Sequence, residues 1–168
     1  MATPQAITPF LWFDKNALDA ATFYVSLFPN SKILTDSHAP EAGKEQHGHE
    51  PGDVMVVEII LSGLRLRLMN GGPHFKLDEA FSLQIDCESQ EEVDRYWTAL
   101  TADGGEESQC GWCRDKFGVS WQVTPKRLME MISSDDSAAV GRAMQAMMTM
   151  KKLDIAELER AFAGVGPS

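Results

Sequence analysis

The sequence is short of cysteine and of positive charge, and each shortage removes a class of function. Three cysteines in 168 residues (Cys87, Cys110 and Cys113) are too few for a disulfide scaffold and fit a reducing compartment. Lys and Arg total 15 against 25 Asp and Glu, which leaves a formal net charge of −10. A surface of that sign repels nucleic-acid phosphate and anionic lipid, and no basic stripe interrupts it, so no nucleic acid and no membrane are expected as partners. No apolar run approaches the roughly 18 residues that suggest a membrane span. The opening residues Met1-Ala2-Thr3-Pro4-Gln5-Ala6 lack the charged and apolar regions of a secretion signal, so a cytoplasmic location is expected. Neither a G-x-S-x-G elbow nor a P-loop occurs, and no G-x-G turn follows a strand pattern.

What is present is a weak internal repeat. Ile7–Pro29 runs from an apolar strand (Phe10-Leu11-Trp12-Phe13-Asp14) into a helix ending in the aromatic pair Phe23-Tyr24. Phe81–Thr101 repeats the pattern, with Phe81-Ser82-Leu83-Gln84-Ile85-Asp86 leading to Tyr96-Trp97. The aromatic pairs lie 73 residues apart (96 minus 23), about one small module of chain. A two-fold repeat of this kind predicts an α+β fold of paired βαβββ modules curling around a cavity. At 43% hydrophobic and 24% charged residues the composition is that of a globular chain, read as one domain over 1–168. The modules are expected over 5–75 and 79–125, with a helical tail over 126–168.

Periodicity fills in the elements. Ile7–Phe13 reads as a strand, and Asn16 is placed to cap a helix over Ala17–Leu27. A second strand is expected at Ser31–Ser37, a loop at His38–Gly52, and strands at Asp53–Leu61 and Leu64–Asn70 joined by Ser62-Gly63. The second module gives a strand at Phe81–Cys87, then a helix whose capping box is Ser89 with Glu92. Strands at about Glu107–Cys113 and Val119–Thr124 complete it. In the tail, Val140, Met144, Met147 and Met148 recur at helical spacing and read as a packing face, while Asp154 with Glu157 caps a last helix. Cys110-Gly-Trp-Cys113 has the C-x-x-C spacing of a redox pair or half a zinc site. It precedes a hairpin turn and not a helix, and no second metal-binding pair accompanies it, so ordinary strand cysteines are the preferred reading.

Leu11-Trp12-Phe13-Asp14, Phe23-Tyr24, Leu27-Phe28-Pro29-Asn30-Ser31-Lys32, Cys110-Gly111-Trp112 and Asp115-Lys116-Phe117-Gly118-Val119-Ser120-Trp121-Gln122 together resemble the PhnB-like branch of the vicinal oxygen chelate superfamily. That superfamily also holds glyoxalase I, extradiol dioxygenases and the bleomycin and fosfomycin resistance proteins. The branch is often labelled demethylubiquinone methyltransferase-like. The resemblance implies a homodimer and, in metal-dependent members, His and Glu ligands on the first strand of each module and the last strand of the second. Carried onto this chain, those positions fall near Thr8, near Ser82 and on Gln122, with a further position around Leu66 to Met69.

None of these residues is a carboxylate or an imidazole, so neither a metal nor any other cofactor is expected. A displaced metal site drawn from His47, His49, Glu50 or Asp53 remains the alternative, and would imply a glyoxalase- or dioxygenase-type enzyme. Strand alternation puts Thr8, Phe10 and Trp12 on one face, Ser82 and Gln84 on another, and Ser120 and Gln122 on a third. Arg65 and Arg67 turn away from leucines that pack under a helix. They either fork onto a ligand's carboxylate or phosphate, or face solvent and pair with Glu58. The expected function is binding of a small polar or anionic organic molecule by Thr8, Phe10, Trp12, Arg65, Arg67, Ser82, Gln84, Ser120 and Gln122.

Overall fold

A computed structural model of the chain describes residues 7–166. The expected start of the first module, at Gln5, lies outside the described residues. The fold is α+β and divides into two compact units, residues 1–77 and 78–168. The division falls in the segment Lys76–Glu79 that separates the repeats in the sequence.

The first unit contains β1 (Phe10–Phe13), α1 (Ala17–Leu27), β2 (Lys32–His38), the short α2 (Lys44–His47), β3 (Val54–Leu61) and β4 (Leu64–Asn70). Its sheet has the order β1-β4-β3-β2, with β1 and β4 parallel and the other pairs antiparallel. Alternation along β3 and β4 sends Val57, Ile59, Leu61, Leu66 and Leu68 to the helix side, where all are buried. Burial of each such side chain stabilises the fold by about 1.5–3 kcal/mol, far more than an exposed ion pair contributes. Ser62 and Gly63, at φ 46° and 89°, form the tight β3–β4 turn that the sequence predicts.

Three expectations are corrected in this unit. The first strand begins at Phe10, three residues later than its pattern suggests, which leaves Thr8 outside the ladder. Asn16 occupies the cap position but makes no side-chain capping bond, because its φ and ψ of −115° and 27° are not the extended conformation of a cap. The buried Asn70 at the end of β4 takes over that role. Its Oδ1 accepts the Ala17 N–H at 2.8 Å, while its Nδ2 donates to the Val54 carbonyl at 2.9 Å. The loop before β3 also contains a helical turn, α2, bounded by Gly43 and Gly48 in left-handed conformations.

The second unit repeats the plan with β5 (Ser82–Cys87), α3 (Gln90–Thr101), β6 (Glu106–Glu107), β7 (Trp112–Arg114) and β8 (Ser120–Pro125), in the order β5-β8-β7-β6. Here β5 and β8 are parallel. Ser89 caps α3 as predicted, its Oγ accepting the Glu92 N–H at 3.3 Å, but the returning bond of the capping box is displaced by one residue: the Glu92 carboxylate accepts the N–H of Glu88, at 2.8 Å, and not that of Ser89. The single strand expected at Glu107–Cys113 is two short ones, split by the turn in which Cys110 and Gly111 take φ values of 58° and 82°.

The tail forms α4 (Lys126–Ile132), α5 (Ser137–Met148) and α6 (Ile155–Ala163), and it belongs to this second unit. Leu128, Met131, Ala143, Leu153 and Leu158 form its core, with Met147, Met150 and Phe162 packed against it. The inward line of α5 is Ala139 and Ala143, whereas Met148 is 65% exposed, so the methionine face is only partly a packing face. Asp154 caps α6 through the Glu157 N–H at 2.9 Å. Gln90 of α3 fastens the tail by donating to the Leu153 carbonyl and accepting the Ile155 N–H.

The β7–β8 connection is held by one buried carboxylate. Asp115, 2% exposed, accepts the Phe117 N–H (2.8 Å) and Val119 N–H (3.0 Å) on Oδ1 and the Trp121 Nε1–H (2.8 Å) on Oδ2. Asp115→Ala orphans three donors, two of them in buried bonds, and is expected to cost about 3–5 kcal/mol in urea denaturation. Asp115→Asn retains one acceptor oxygen and is expected to cost about half as much. A loss below about 1 kcal/mol for the alanine variant would show that water replaces the carboxylate.

Candidate functional site

Each sheet carries its helix on one face and leaves the other face without a helix of its own. On the helix-free face of the first sheet, strand register builds cross-strand rows. Phe10 lies beside Arg67, Arg67 beside Glu58, and Glu58 beside Thr35. The neighbouring rows are Trp12–Met69–Val56–Ser37 and Arg65–Ile60–Lys32. Phe10, Trp12, Arg65 and Arg67 therefore share one surface, as their alternation predicts. Thr8 precedes the ladder and is not held in it.

Glu58 decides the electrostatics of that surface. Its Oε2 accepts Arg67 Nε at 2.6 Å, and its Oε1 lies 3.7 Å from Arg65 Nη1. Pairing of both arginines with Glu58 is one of the two outcomes the sequence allows. Three cations (Lys32, Arg65 and Arg67) still stand against one carboxylate on these rows, although the chain as a whole is strongly acidic.

Trp12 is positioned by two contacts that periodicity does not reveal. Its Nε1 donates to the Gly72 carbonyl at 2.9 Å, and Phe75 meets its ring edge-on at 5.0 Å between centroids. Gly71 is required at this point, because a Cβ there would lie 2.2 Å from the Trp12 ring. The Gly71-Gly72-Pro73 turn was the available sequence signal, since it folds the chain back over Trp12.

On the helix-free face of the second sheet, Ser82 pairs with Ser120 and Gln84 with Gln122. All four predicted polar residues are brought together. Gln122 Nε2 donates to Ser82 Oγ at 3.0 Å, and Gln84 Nε2 donates to Asp86 at 2.8 Å. Ser120 is 2% exposed, and its hydroxyl has no hydrogen-bond partner. It lines a cavity of about 460 Å³ at the β6 end of the sheet. Sequence reasoning missed the other walls of that cavity, among them Glu79, Glu106, Trp112 and Arg114, because the split into β6 and β7 is not visible in the apolar pattern.

The residues at the positions that the resemblance assigns to metal ligands do not fit a divalent ion. Ser82 and Gln122 offer only neutral oxygens and are joined by a bond from Gln122 Nε2 to Ser82 Oγ, Thr8 lies off the strand, and the β4 position offers Arg67 and Met69 on the helix-free face. The displaced set does not assemble either. His47 Nδ1 accepts the His49 N–H, Glu50 pairs with Lys44, and Asp53 accepts the Glu50 N–H. Among the described residues no three His, Cys, Asp or Glu side chains are grouped so as to hold a metal. The turns from β1 into α1 (Asp14-Lys15-Asn16) and from β5 into α3 (Glu88-Ser89) contain no glycine, and so lack the loop that cradles a nucleotide-type methyl donor.

With this geometry in view, comparison with known proteins places the chain. Its two modules have the fold of the vicinal oxygen chelate proteins. FosX of Listeria monocytogenes, a fosfomycin resistance protein, superposes with a TM-score of 0.52 at 16% identity, over 79% of this chain and 100% of that one. Protein PA1353 of Pseudomonas aeruginosa gives 0.58 at 20% identity, over 72% and 97%. The chain belongs to the 3-demethylubiquinone-9 3-methyltransferase family, whose model matches residues 5–124. The PhnB protein of Bacillus cereus, which carries the same family label, is 32% identical over 72% of this chain and 99% of its own, with a TM-score of 0.64. No curated protein matches the chain. Among the described residues no helix is long and apolar enough to cross a membrane.

The C-x-x-C segment is explained by backbone bonding. The Cys110 and Gly111 N–H groups donate to the Met150 and Lys151 carbonyls at 2.8 Å each, which docks the α5–α6 connection. Burial pushes the Cys113 thiol up to about 12, with the charges of Asp115 and Glu107 adding to it. Burial likewise pushes Cys87 up to about 12, reinforced by Glu92 and Asp86. A raised value means the neutral thiol persists at pH 8, where only about one molecule in ten thousand carries the thiolate at such a site. Ellman's reagent is expected to modify Cys110 alone in the native protein and all three cysteines after denaturation. Rapid native labelling of Cys113 would contradict this assignment.

Proposed function

We propose that the protein binds a small polar or anionic organic molecule on the helix-free face of its first sheet, without a resident metal. The observation that carries the reading is the register-built surface of Phe10, Trp12, Arg65 and Arg67. Two aromatic rings supply an apolar wall. Arg67 uses its Nε on Glu58, which leaves the terminal nitrogens of the guanidinium as donors for a carboxylate or phosphate. Glu58 holds the arginine in place and limits its net charge, which favours a ligand of low charge over a polyanion. Ser82, Gln84 and Gln122 lie on the second sheet, and this reading does not rest on them.

The family label names a methyl transfer, but no glycine-rich strand-to-helix turn supports that chemistry in this chain. Binding without turnover is the reading that its residues favour.

A thermal-shift screen of small carboxylates and phosphonates tests the proposal. A true ligand at about 100 times its Kd stabilises the folded state by about 2.7 kcal/mol, an easily read shift. Arg67→Met is expected to abolish that shift while leaving the unliganded stability within about 1 kcal/mol, because Arg67 is solvent-exposed and Arg65 stays beside Glu58. A shift retained in full by Arg67→Met would place the ligand elsewhere. Metal analysis after dialysis against Zn²⁺ and Mn²⁺ provides a separate check, with substoichiometric metal expected. Near-stoichiometric metal lost in the His47→Ala, His49→Ala double variant would instead establish the displaced site.

A further inference from the structure

The cavity at the β6 end of the second sheet carries chemistry of the opposite sign. Its lining includes Glu79, Glu106, Glu107, Trp112, Arg114 and Ser120. Glu79 and Glu106 thus share this wall with one guanidinium, while Glu107, beside Cys113 in the register, turns toward α3. Glu106 is paired with Arg114 at 2.6 Å, and Glu107 accepts Trp97 Nε1 at 2.9 Å with Lys151 3.6 Å away. Among the described residues Glu79 forms no ion pair, so its charge remains uncompensated at the cavity wall.

Ser120 is the independent sign that this cavity is built for a ligand. A buried hydroxyl without a partner carries a desolvation cost, and such groups are rare in folded proteins. Register puts Ser120 beside Arg114 on the helix-free face, and Arg114 beside Glu106. The guanidinium is drawn outward to Glu106 and leaves the hydroxyl orphaned. Trp112, on the next row of the same face, supplies an aromatic wall that attracts cations.

We infer that this cavity binds a small organic cation, an alkyl or aralkyl amine, with its ammonium on Glu79, its carbon body against Trp112 and a hydrogen bond to Ser120. The ammonium offers three donors and no acceptor, which matches a carboxylate and a hydroxyl oxygen lacking donors. A carboxylate or phosphate ligand would instead meet the unpaired Glu79, with the one guanidinium already held by Glu106. The inference uses residues of the second unit alone and does not depend on the reading of the first sheet.

The test is a titration of the full chain with agmatine and tyramine, followed by ¹H–¹⁵N chemical shifts, with glutarate and 4-hydroxyphenylacetate as anionic controls. The expected result is saturable binding of an amine, with shifts concentrated in the amides of residues 108–114 and at Ser120. Glu79→Gln and Ser120→Ala are each expected to weaken it by about tenfold, the worth of one charge-assisted or buried hydrogen bond. Glu79 lies on an exposed segment before β5, so its variant reports on binding even if Ser120→Ala perturbs the strand. No saturable shifts, shifts confined to other residues, unchanged affinity in Glu79→Gln, or preferential binding of the anions at this cavity would each overturn the inference. The anion reading is checked on Arg67→Met and this one on Glu79→Gln, so either can fail alone.

Discussion

The parallel pairing of the first and last strand in each module is the constraint on which the rest depends. In the first module β1 must be carried back to lie beside β4 after α1, β2 and β3 have been laid down. That closure commits α1 to one face, where Leu66, Leu68, Val57 and Ile59 cover it, and leaves the opposite face to residues chosen for other reasons. The hydrophobic term resides almost entirely on the helix side. Arginines, a glutamate, serines and glutamines are tolerated on the other face because they contribute little to stability there. Asn70 shows how tightly the closure is set, since one side chain joins the start of α1 to the end of β4 and the start of β3.

The same constraint explains why family membership fixes so little of the chemistry. A sheet that presents rows of side chains can carry His and Glu for a metal, or Ser and Gln that bond to each other, without any change in its core. Here the Gln122–Ser82 hydrogen bond joins two of the positions that the resemblance assigns to ligands. Neutral oxygens unsupported by a carboxylate do not compensate a divalent charge.

Much of the architecture was legible in the sequence because it is written in local pattern. The bounds of α1 follow from apolar spacing, the β3–β4 turn from Ser62-Gly63, and the caps of α3 and α6 from Ser89 with Glu92 and Asp154 with Glu157. What was not legible depends on partners distant in the chain. Asn16 looks like a cap until Asn70, 54 positions later, supplies the bond instead (70 minus 16). The split between β6 and β7 comes from the left-handed pair Cys110 and Gly111, whose conformation serves a connection about 40 residues away. For the candidate site, alternation correctly grouped Phe10 with Trp12 and Arg65 with Arg67, and it offered Glu58 as their partner. It could not reveal that Ser120 would be buried without a hydrogen bond, because that follows from where Arg114 is drawn.

The two helix-free faces show how one frame acquires opposite electrostatics. From the first strand through the last and outward, the row in the first module is Phe10, Arg67, Glu58, Thr35. The corresponding row in the second is Ser82, Ser120, Arg114, Glu106. Each contains one Arg–Glu pair, but the second pair sits one strand further out. In the first module the guanidinium therefore occupies the strand beside β1, next to an aromatic ring and close to a second arginine. In the second module the same position holds a bare hydroxyl, and the carboxylate has moved to the edge strand beside Glu107. A shift of one strand in an ion pair is enough to set a guanidinium at the inner position of one face and a bare hydroxyl at the same position of the other.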